Sequence, residues 1–271
     1  MKFRQIAMIF ALSAGVVHAA PALAKQCGNT AAGYNAWVAD FSREAVANGV
    51  SQRTLNEAFN GISYATKTIW YDRNQKSFKL TFEEFMKKRG AATIIAQGKK
   101  RKSQNAALFQ NIERKFGVPA GPLIAIWGME TAFGGFMGDK DIFSSLTTLA
   151  YDCRRSELFE EQLYAALKLL QTGQLSRDEM TGAGHGEIGQ AQFLPANYVK
   201  YGVDGDGDGR VDMIKSRADA LASIANYLVA YGWKRGQGYQ VGEPNYNAIV
   251  GWNKAQVYQK AIAAIGAAID G

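Results

Sequence analysis

Residues 123–134 read LIAIWGMETAFG. Glu130 is the only ionisable group in that stretch, set among Leu123, Ile124, Ile126, Trp127, Met129 and Phe133. A glutamate in such company is either held by a specific partner or stripped of water. Loss of water disfavours the charged form and raises the pKa. A carboxyl kept protonated near neutral pH is prepared to donate a proton. For this residue alone, a helix-terminal Glu that points to solvent or caps a neighbouring turn is the alternative.

The flanking sequence reads mainly as helix. Trp37, Phe41 and Ala45 recur at helical spacing, as do Phe159, Leu163, Leu167 and Leu170. Thr81-Phe82-Glu83-Glu84 has the order of a capping box, and Ser156 precedes an amphipathic stretch that ends at Gly173. Further helices are expected over Ala218 to Tyr231, stopped by Gly232, and over Gln256 to Ile269. No stretch alternates with period two, although Tyr239 to Val241 is expected to supply a short strand. There is no internal repeat, low-complexity segment or Pro-rich linker. The pattern predicts one continuous α-rich unit, with lobes either side of a cleft.

Composition narrows the chemistry. The chain has 271 residues, 47% hydrophobic and 11% aromatic, which supports a sizeable core and argues against global disorder. Lys2 and Arg4 form a basic start, Ile6 to Val17 an apolar run too short to span a bilayer, and Ala22-Leu23-Ala24 a small-residue cleavage site. Residues 1–24 are therefore expected to be a secretory signal peptide cleaved after Ala24. The mature protein is then exported and periplasmic, with no stable membrane insertion. Lys25 and Gln26 do not suit a lipoprotein cleavage box before Cys27. Loss of Lys2 and Arg4 takes the formal charge from +7 to +5, compatible with an anionic polymer but not diagnostic of one. Export also makes Lys99-Lys100-Arg101-Lys102 a solvated helix face rather than a nucleic-acid patch.

Histidine occurs only at His18 and His185, and cysteine only at Cys27 and Cys153. A zinc site built from these residues lacks ligands, and no nucleophile-elbow motif accompanies His185. In an oxidising compartment the two cysteines can form one disulfide, with two free thiols as the alternative.

Residues 204–212 read DGDGDGRVD. Asp204, Asp206 and Asp208 occupy the first, third and fifth positions of an EF-hand-type loop, with Gly209 at the sixth. Arg210 stands where a backbone carbonyl ligates and Asp212 stands at the ninth position. The twelfth is Lys215 rather than the usual bidentate Glu, so Asp219 is the nearby acid that can close the shell. This departure favours a static structural Ca²⁺ over a sensor, and a solvated Asp/Gly turn is the alternative.

Taken together, and in this order, the motifs resemble the lytic murein transglycosylase B family. They are Tyr71-Asp72-Arg73-Asn74-Gln75, Trp127 to Gly134, Arg154-Arg155-Ser156-Glu157-Leu158-Phe159, and Gly189-Gln190-Ala191-Gln192-Phe193-Leu194-Pro195. Tyr198, the Asp204 loop, and Trp252-Asn253-Lys254-Ala255 with Tyr258 follow. The resemblance implies a lysozyme-like α-rich catalytic domain over residues 25–271, with a glycan cleft and an EF-hand-like loop at 204–219. It implies Glu130 as the catalytic residue and Gln192, Phe193, Trp252, Asn253 and Tyr258 as substrate-binding residues. It also implies Ca²⁺ on Asp204, Asp206, Asp208, Arg210, Asp212 and Asp219, with no cofactor needed for the chemistry.

Gln192 and Asn253 then orient sugar substituents, Phe193, Trp252 and Tyr258 offer rings for pyranose faces, and Trp127 packs behind Glu130. The implied substrate is the peptidoglycan glycan strand, cut between N-acetylmuramic acid and N-acetylglucosamine with a 1,6-anhydro end. A monomer is expected, and recognition rests on the cleft itself or on a cell-wall or secretion-machinery partner that delivers the enzyme.

There are departures. Where the family has Ser-Trp-Ala-Gly-Ala-Met, this chain has Ala183-Gly184-His185-Gly186-Glu187-Ile188, and the segment from Trp233 to Trp252 is shorter. Glu187 is thus either a surface acid or a second catalytic carboxylate. The latter would suit a hydrolytic muramidase of the lysozyme type. A non-catalytic exported glycan-binding protein is the remaining alternative.

Overall fold

The structure, a computed structural model, describes residues 26–74 and 80–271. The expected signal peptide at 1–24, and Gln75 of the first motif, lie outside the described residues. The N-terminal half carries α1 (Tyr34–Ala47), α2 (Gln52–Ala58), α3 (Thr66–Arg73), α4 (Phe82–Lys88), α5 (Ala91–Gln104), α6 (Ala106–Phe116) and α7 (Ala120–Thr131). Then come β1 (Lys140–Asp141), α8 (Ile142–Tyr151), α9 (Ser156–Gln171), β2 (Thr181–Gly182) and α10 (Pro195–Tyr201). The chain closes with α11 (Arg217–Ala230), α12 (Tyr246–Trp252) and α13 (Gln256–Asp270). β1 and β2 make one antiparallel pair, Lys140 opposite Gly182.

Most of the expected helices form where the periodicity places them. The capping box is complete, with Thr81 Oγ1 accepting from Glu84 N and Glu84 accepting from Thr81 N. Ser156 begins α9 rather than capping it, and its hydroxyl donates to the Ala150 carbonyl. The strand expected at Tyr239 to Val241 is corrected to irregular backbone. With no partner strand beside it, the segment is held through side chains instead: Tyr239 O–H donates to Asp270 Oδ2 at 2.8 Å.

α7 occupies the centre. Every residue of it except Glu130 is buried. A helix apolar all round must be covered all round, and α5, α6, α11 and α13 supply the cover. α13 comes closest. A Cβ on Gly121 would lie 2.3 Å from the Gly266 carbonyl oxygen, so the two backbones meet where neither can carry a side chain. The same economy lets α5 in at Gly98, whose Cβ would lie 2.7 Å from Ile269 Cδ1 and 2.8 Å from Ile124 Cγ2.

A second layer packs α1, α3 and α9 around α8, all ten of whose residues are buried. Cys27 and Cys153 are joined, tying the segment before α1 to the turn after α8. Two of the sequence motifs meet here. Asp72 of α3, 3% exposed, accepts from Arg154 and Arg155, while Arg73 pairs with Asp152 at 2.8 Å.

The helix crossing gives a direct test. Gly121→Ala forces α7 and α13 apart and is expected to lower the unfolding free energy by about 1–3 kcal/mol, read from urea denaturation midpoints.

Candidate active site

Glu130 is the penultimate residue of α7. The helix cannot continue past it, because Ala132 (φ 49°), Phe133 (φ 65°) and Gly134 (φ 85°) all adopt left-handed backbone. The described residues contain three non-glycine residues with positive φ: Ala132, Phe133 and Gln192. All three lie within a few residues of the Glu130 carboxyl or line the cavity it faces. Such conformations persist only where surroundings over-determine them, and those surroundings are visible. Thr131 Oγ1 donates to the Gln190 carbonyl at 2.7 Å and accepts from Gly134 N at 2.9 Å.

The carboxyl opens onto a cavity of about 310 Å³, lined by Glu130, Glu187, Gln192, Phe193, Trp252 and Asn253, with Leu194, Asn197 and Tyr227 completing the wall. Trp252 Nε1–H donates to Glu130 Oε1 at 3.0 Å, and the Tyr258 hydroxyl donates to the same oxygen at 2.7 Å. Burial pushes the Glu130 carboxyl above the usual carboxylate range. The hydrogen bonds from Tyr258 and Trp252 and the charge of Arg89 work against that rise, while the charge of Glu187 adds to it. Because Oε1 already accepts two hydrogens, the proton of the neutral acid belongs on Oε2.

Five residues were expected to meet substrate. Gln192, Phe193, Trp252 and Asn253 share the cavity with Glu130. Gln192 Nε2 is spent on the carbonyls of Met137 and Gly189 at 3.1 and 2.9 Å, which leaves its Oε1 as the acceptor still available. Asn253 Oδ1 accepts from Ala255 N at 2.9 Å, so this amide also shapes the entry to α13. Phe193 is 3% exposed and packs on Tyr227 and Trp252, which makes it the backing of the indole more than an open face.

Tyr258 is a correction. It is 3% exposed, meets Phe85 edge-on and lies under the Arg89 guanidinium, so no ring face is left for a sugar. Its role is the hydroxyl aimed at Glu130. Burial first, and then the charge of Glu130, push that hydroxyl well above the usual phenol range, so it stays a donor.

Gln190 was not singled out among the expected site residues, yet it links two regions. It accepts from Trp127 Nε1 at 3.0 Å and donates to the Ile214 carbonyl at 3.0 Å, joining α7 to the end of the acidic loop. Its signal in the sequence is its place within the Gly189–Pro195 motif, two residues before Gln192.

In the acidic loop, carboxylate oxygens of Asp204, Asp206 and Asp219 lie within 4.8 Å of one another. Asp219 is 1% exposed and accepts from Gly205 N and Asp212 N. Asp208 and Asp212, two more of the expected ligands, are not part of this cluster. Asp208 accepts from Arg210 N at 2.8 Å, and Asp212 accepts from Ile214 N and Lys215 N at 3.0 and 2.9 Å. The Arg210 side chain turns away to Gln174 and Glu179. Lys215 does likewise, pairing with Glu179 at 2.5 Å, and this bond leads in pulling the Glu179 carboxyl down to about 2. Three hard oxygen donors in close array fit a hard divalent cation.

The sequence pattern of the transglycosylase SLT domain matches residues 33–243. The chain belongs to the transglycosylase SLT domain family.

Membrane-bound lytic murein transglycosylase B of Escherichia coli (strain K12) is 36% identical over 122 residues, which cover 45% of this chain and 34% of that protein. The chain spans about a third of the length of the curated relative it matches. SltB3 from Pseudomonas aeruginosa, solved in complex with NAG-NAM-pentapeptide, superposes with a TM-score of 0.82 at 29% identity, over 88% of this chain and 80% of that one. The Escherichia coli lytic transglycosylase SLT35, solved in complex with calcium, superposes with a TM-score of 0.76 at 21% identity, over 91% and 96% of the two chains. The fold is thus that of the lysozyme-like lytic transglycosylases.

The bond from Tyr258 can be tested without substrate. Tyr258→Phe removes a hydrogen bond that favours the charged form of Glu130, so the Glu130 carboxyl is expected to titrate at higher pH. Carboxyl ¹³C NMR across a pH series, with Glu130→Gln to assign the resonance, reads the shift.

Proposed function

We propose that this protein is an exported peptidoglycan lytic transglycosylase that cuts between N-acetylmuramic acid and N-acetylglucosamine and leaves 1,6-anhydro ends. The observation that carries the reading is Glu130. It is a carboxyl with a raised pKa, fixed by two donors on one oxygen, at the wall of a cavity, in a chain of the transglycosylase SLT domain family. The substrate class is supported by SltB3, which was solved with NAG-NAM-pentapeptide.

The chemistry follows from one residue acting twice. Glu130 Oε2–H donates its proton to the glycosidic oxygen as the bond to the muramic anomeric carbon breaks, and the 2-acetamido oxygen of that sugar can assist at the same carbon. The Glu130 carboxylate then takes the proton of the C-6 hydroxyl. The C-6 oxygen bonds to the anomeric carbon and closes the anhydro ring. No water is consumed, and Glu130 ends protonated as it began. Between the steps Glu130 is an anion in a site that has given up water, and the Trp252 and Tyr258 donors hold that charge. Gln192 and Asn253 face the sugar with amide groups, and Trp252 offers the ring surface.

Asp204, Asp206 and Asp219 are the residues that would hold Ca²⁺, which would supply charge balance for a crowded acidic loop and no step of the reaction. Among the described residues no helix is long and apolar enough to cross a membrane. The basic start, short apolar run and Ala-x-Ala site support cleavage after Ala24 and a periplasmic location for residues 25–271.

Two experiments test this. Digestion of purified peptidoglycan is expected to release products about 18 mass units lighter than hydrolytic ones, for want of a water. Glu130→Gln is expected to lower turnover by about 10²–10⁴-fold; reducing-end products alone would sink the anhydro reading.

Removal of calcium by a chelator is expected to lower Tm by about 5–10 °C relative to protein at calcium a hundredfold above its Kd. Asp204→Asn should blunt that response.

A further inference from the structure

The basic run at residues 99–102 is only partly the solvated face that its composition suggests. Lys99 and Lys100 are exposed, but Lys102 Nζ donates to the carbonyls of Ile269 and Asp270 at 3.3 and 3.2 Å. Arg101 has a different commitment. Ile94, Gly98 and Arg101 are spaced four and three residues apart, so they share one face of α5. That face packs on α7. A Cβ on Gly98 would lie 2.8 Å from Ile124 Cγ2, and one on Gly128 would lie 2.7 Å from Ile94 Cγ2.

At the end of that face the Arg101 guanidinium lies over the Phe133 ring, 4.1 Å from its centroid, with the Trp127 ring next at 5.9 Å. Phe133 meets Trp127 edge-on at 5.2 Å and folds back along α7, where a Cβ on Gly128 would lie 3.0 Å from its Cε1 and Cζ. Gly128 thus leaves the room that the ring occupies. Arg101 Nη1 also donates to Gln97 Oε1 at 3.2 Å, one turn back on α5, which steadies the guanidinium above the ring.

The ring matters because of the backbone that carries it. Phe133 has φ 65°, and a bulky side chain is seldom found in left-handed backbone. The turn of Ala132, Phe133 and Gly134 closes α7. Ala132 N donates to the Gly128 carbonyl at 3.0 Å, Phe133 N to the Trp127 carbonyl at 3.2 Å, and Phe136 N to the Thr131 carbonyl at 2.9 Å. These bonds tie off carbonyls that a helix end otherwise leaves open. Their acceptors bracket Glu130 in the sequence, so the last turn of α7 keeps its shape only while the left-handed turn does. A left-handed phenylalanine needs an outside hold, and a cation on its face supplies one.

We propose that Arg101 is a positioning residue for Glu130. Its cation holds the Phe133 ring, the ring holds the left-handed turn, and the turn keeps the Glu130 carboxyl on the Trp252 and Tyr258 donors at 3.0 and 2.7 Å. Arg101 acts through the acid rather than on the sugar. Its effect on turnover rests on the reading of Glu130 as the proton donor; its effect on the geometry of that carboxyl does not.

Three variants test it. Arg101→Met keeps a long side chain and removes the charge, Arg101→Lys returns a cation to the ring, and Phe133→Leu removes the π face. In Arg101→Met, kcat is expected to fall about tenfold or more with KM within about twofold, since the acid is misplaced and the sugar contacts are not. Arg101→Lys should recover part of that loss. On a Phe133→Leu background, Arg101→Met should cost little more, because its partner is already gone. The Trp252 indole N–H, assigned by Trp252→Phe, gives a readout that needs no substrate. Its ¹H–¹⁵N signal is expected to move in Arg101→Met as the bond to Glu130 lengthens. A fall in Tm with kcat and the Trp252 signal unmoved would make Arg101 a surface brace and overturn the proposal. Full additivity of the two substitutions would overturn it too. If the wild-type protein cleaves no glycan, the function reading fails alone, because the Trp252 signal still decides the geometry.

Discussion

The rest of the structure is arranged around one constraint: a carboxyl carried by a helix that is otherwise buried on every side. Placing Glu130 at the end of α7 costs desolvation of the charged form, and among the described residues no ion pair removes that cost. The structure supplies two neutral donors, Trp252 and Tyr258, on a single oxygen. A neutral donor stabilises the anion less than a cation would. The group is therefore left able to carry a proton and still able to lose it. Had Arg89 been in direct contact, the carboxyl would have been held as a permanent anion. The recorded contacts of Arg89 are instead the Met129 carbonyl and the rings of Phe85 and Tyr258.

Those donors come from far along the chain, so their placement depends on the close approach of α7 and α13. Gly121 and Gly266 permit it. A few ångströms of added separation would carry the Tyr258 hydroxyl out of reach of Glu130, because a hydrogen bond is lost well before a van der Waals contact is. Gln190 imposes a second restraint from the other side. It ties the Trp127 indole to Ile214, two residues beyond Asp212, whose own amide is held by Asp219. The acidic loop and α7 are thus connected by a run of hydrogen bonds and short backbone steps.

How much of this was legible in the sequence depended on whether the signal was local. The capping box at Thr81 and Glu84 and the apolar rows of α1 and α9 are short-range features, and they form as written. The unusual setting of Glu130 could also be read, since its neighbours in sequence are its neighbours in the helix. The role of Tyr258 could not. An aromatic beside a glycan-site motif suggests a stacking surface, and only the α7–α13 crossing reveals that its ring is covered and its hydroxyl is what matters. The strand expected at Tyr239 failed for the converse reason. Local β preference means little where no second strand is within reach. In the acidic loop the alternation of aspartates was legible, whereas the burial of Asp219 on α11 against Asp204 and Asp206 depends on how the helix packs beside the loop.

The loop of residues 183–188 carries two polar residues, His185 and Glu187. It is not free: glycines at 182 and 186 press it against Leu146 and its own backbone, and Asp72 meets His185 from a helix more than a hundred residues earlier in the chain. Asp72 holds two arginines, and His185 Nε2 lies 3.9 Å from the same carboxylate. Burial alone would lower the His185 pKa, but the hydrogen bond and charge of Glu187, followed by the charge of Asp72, outweigh it and leave it raised. Contacts anchored on the buried side thereby reach the cavity wall at Glu187.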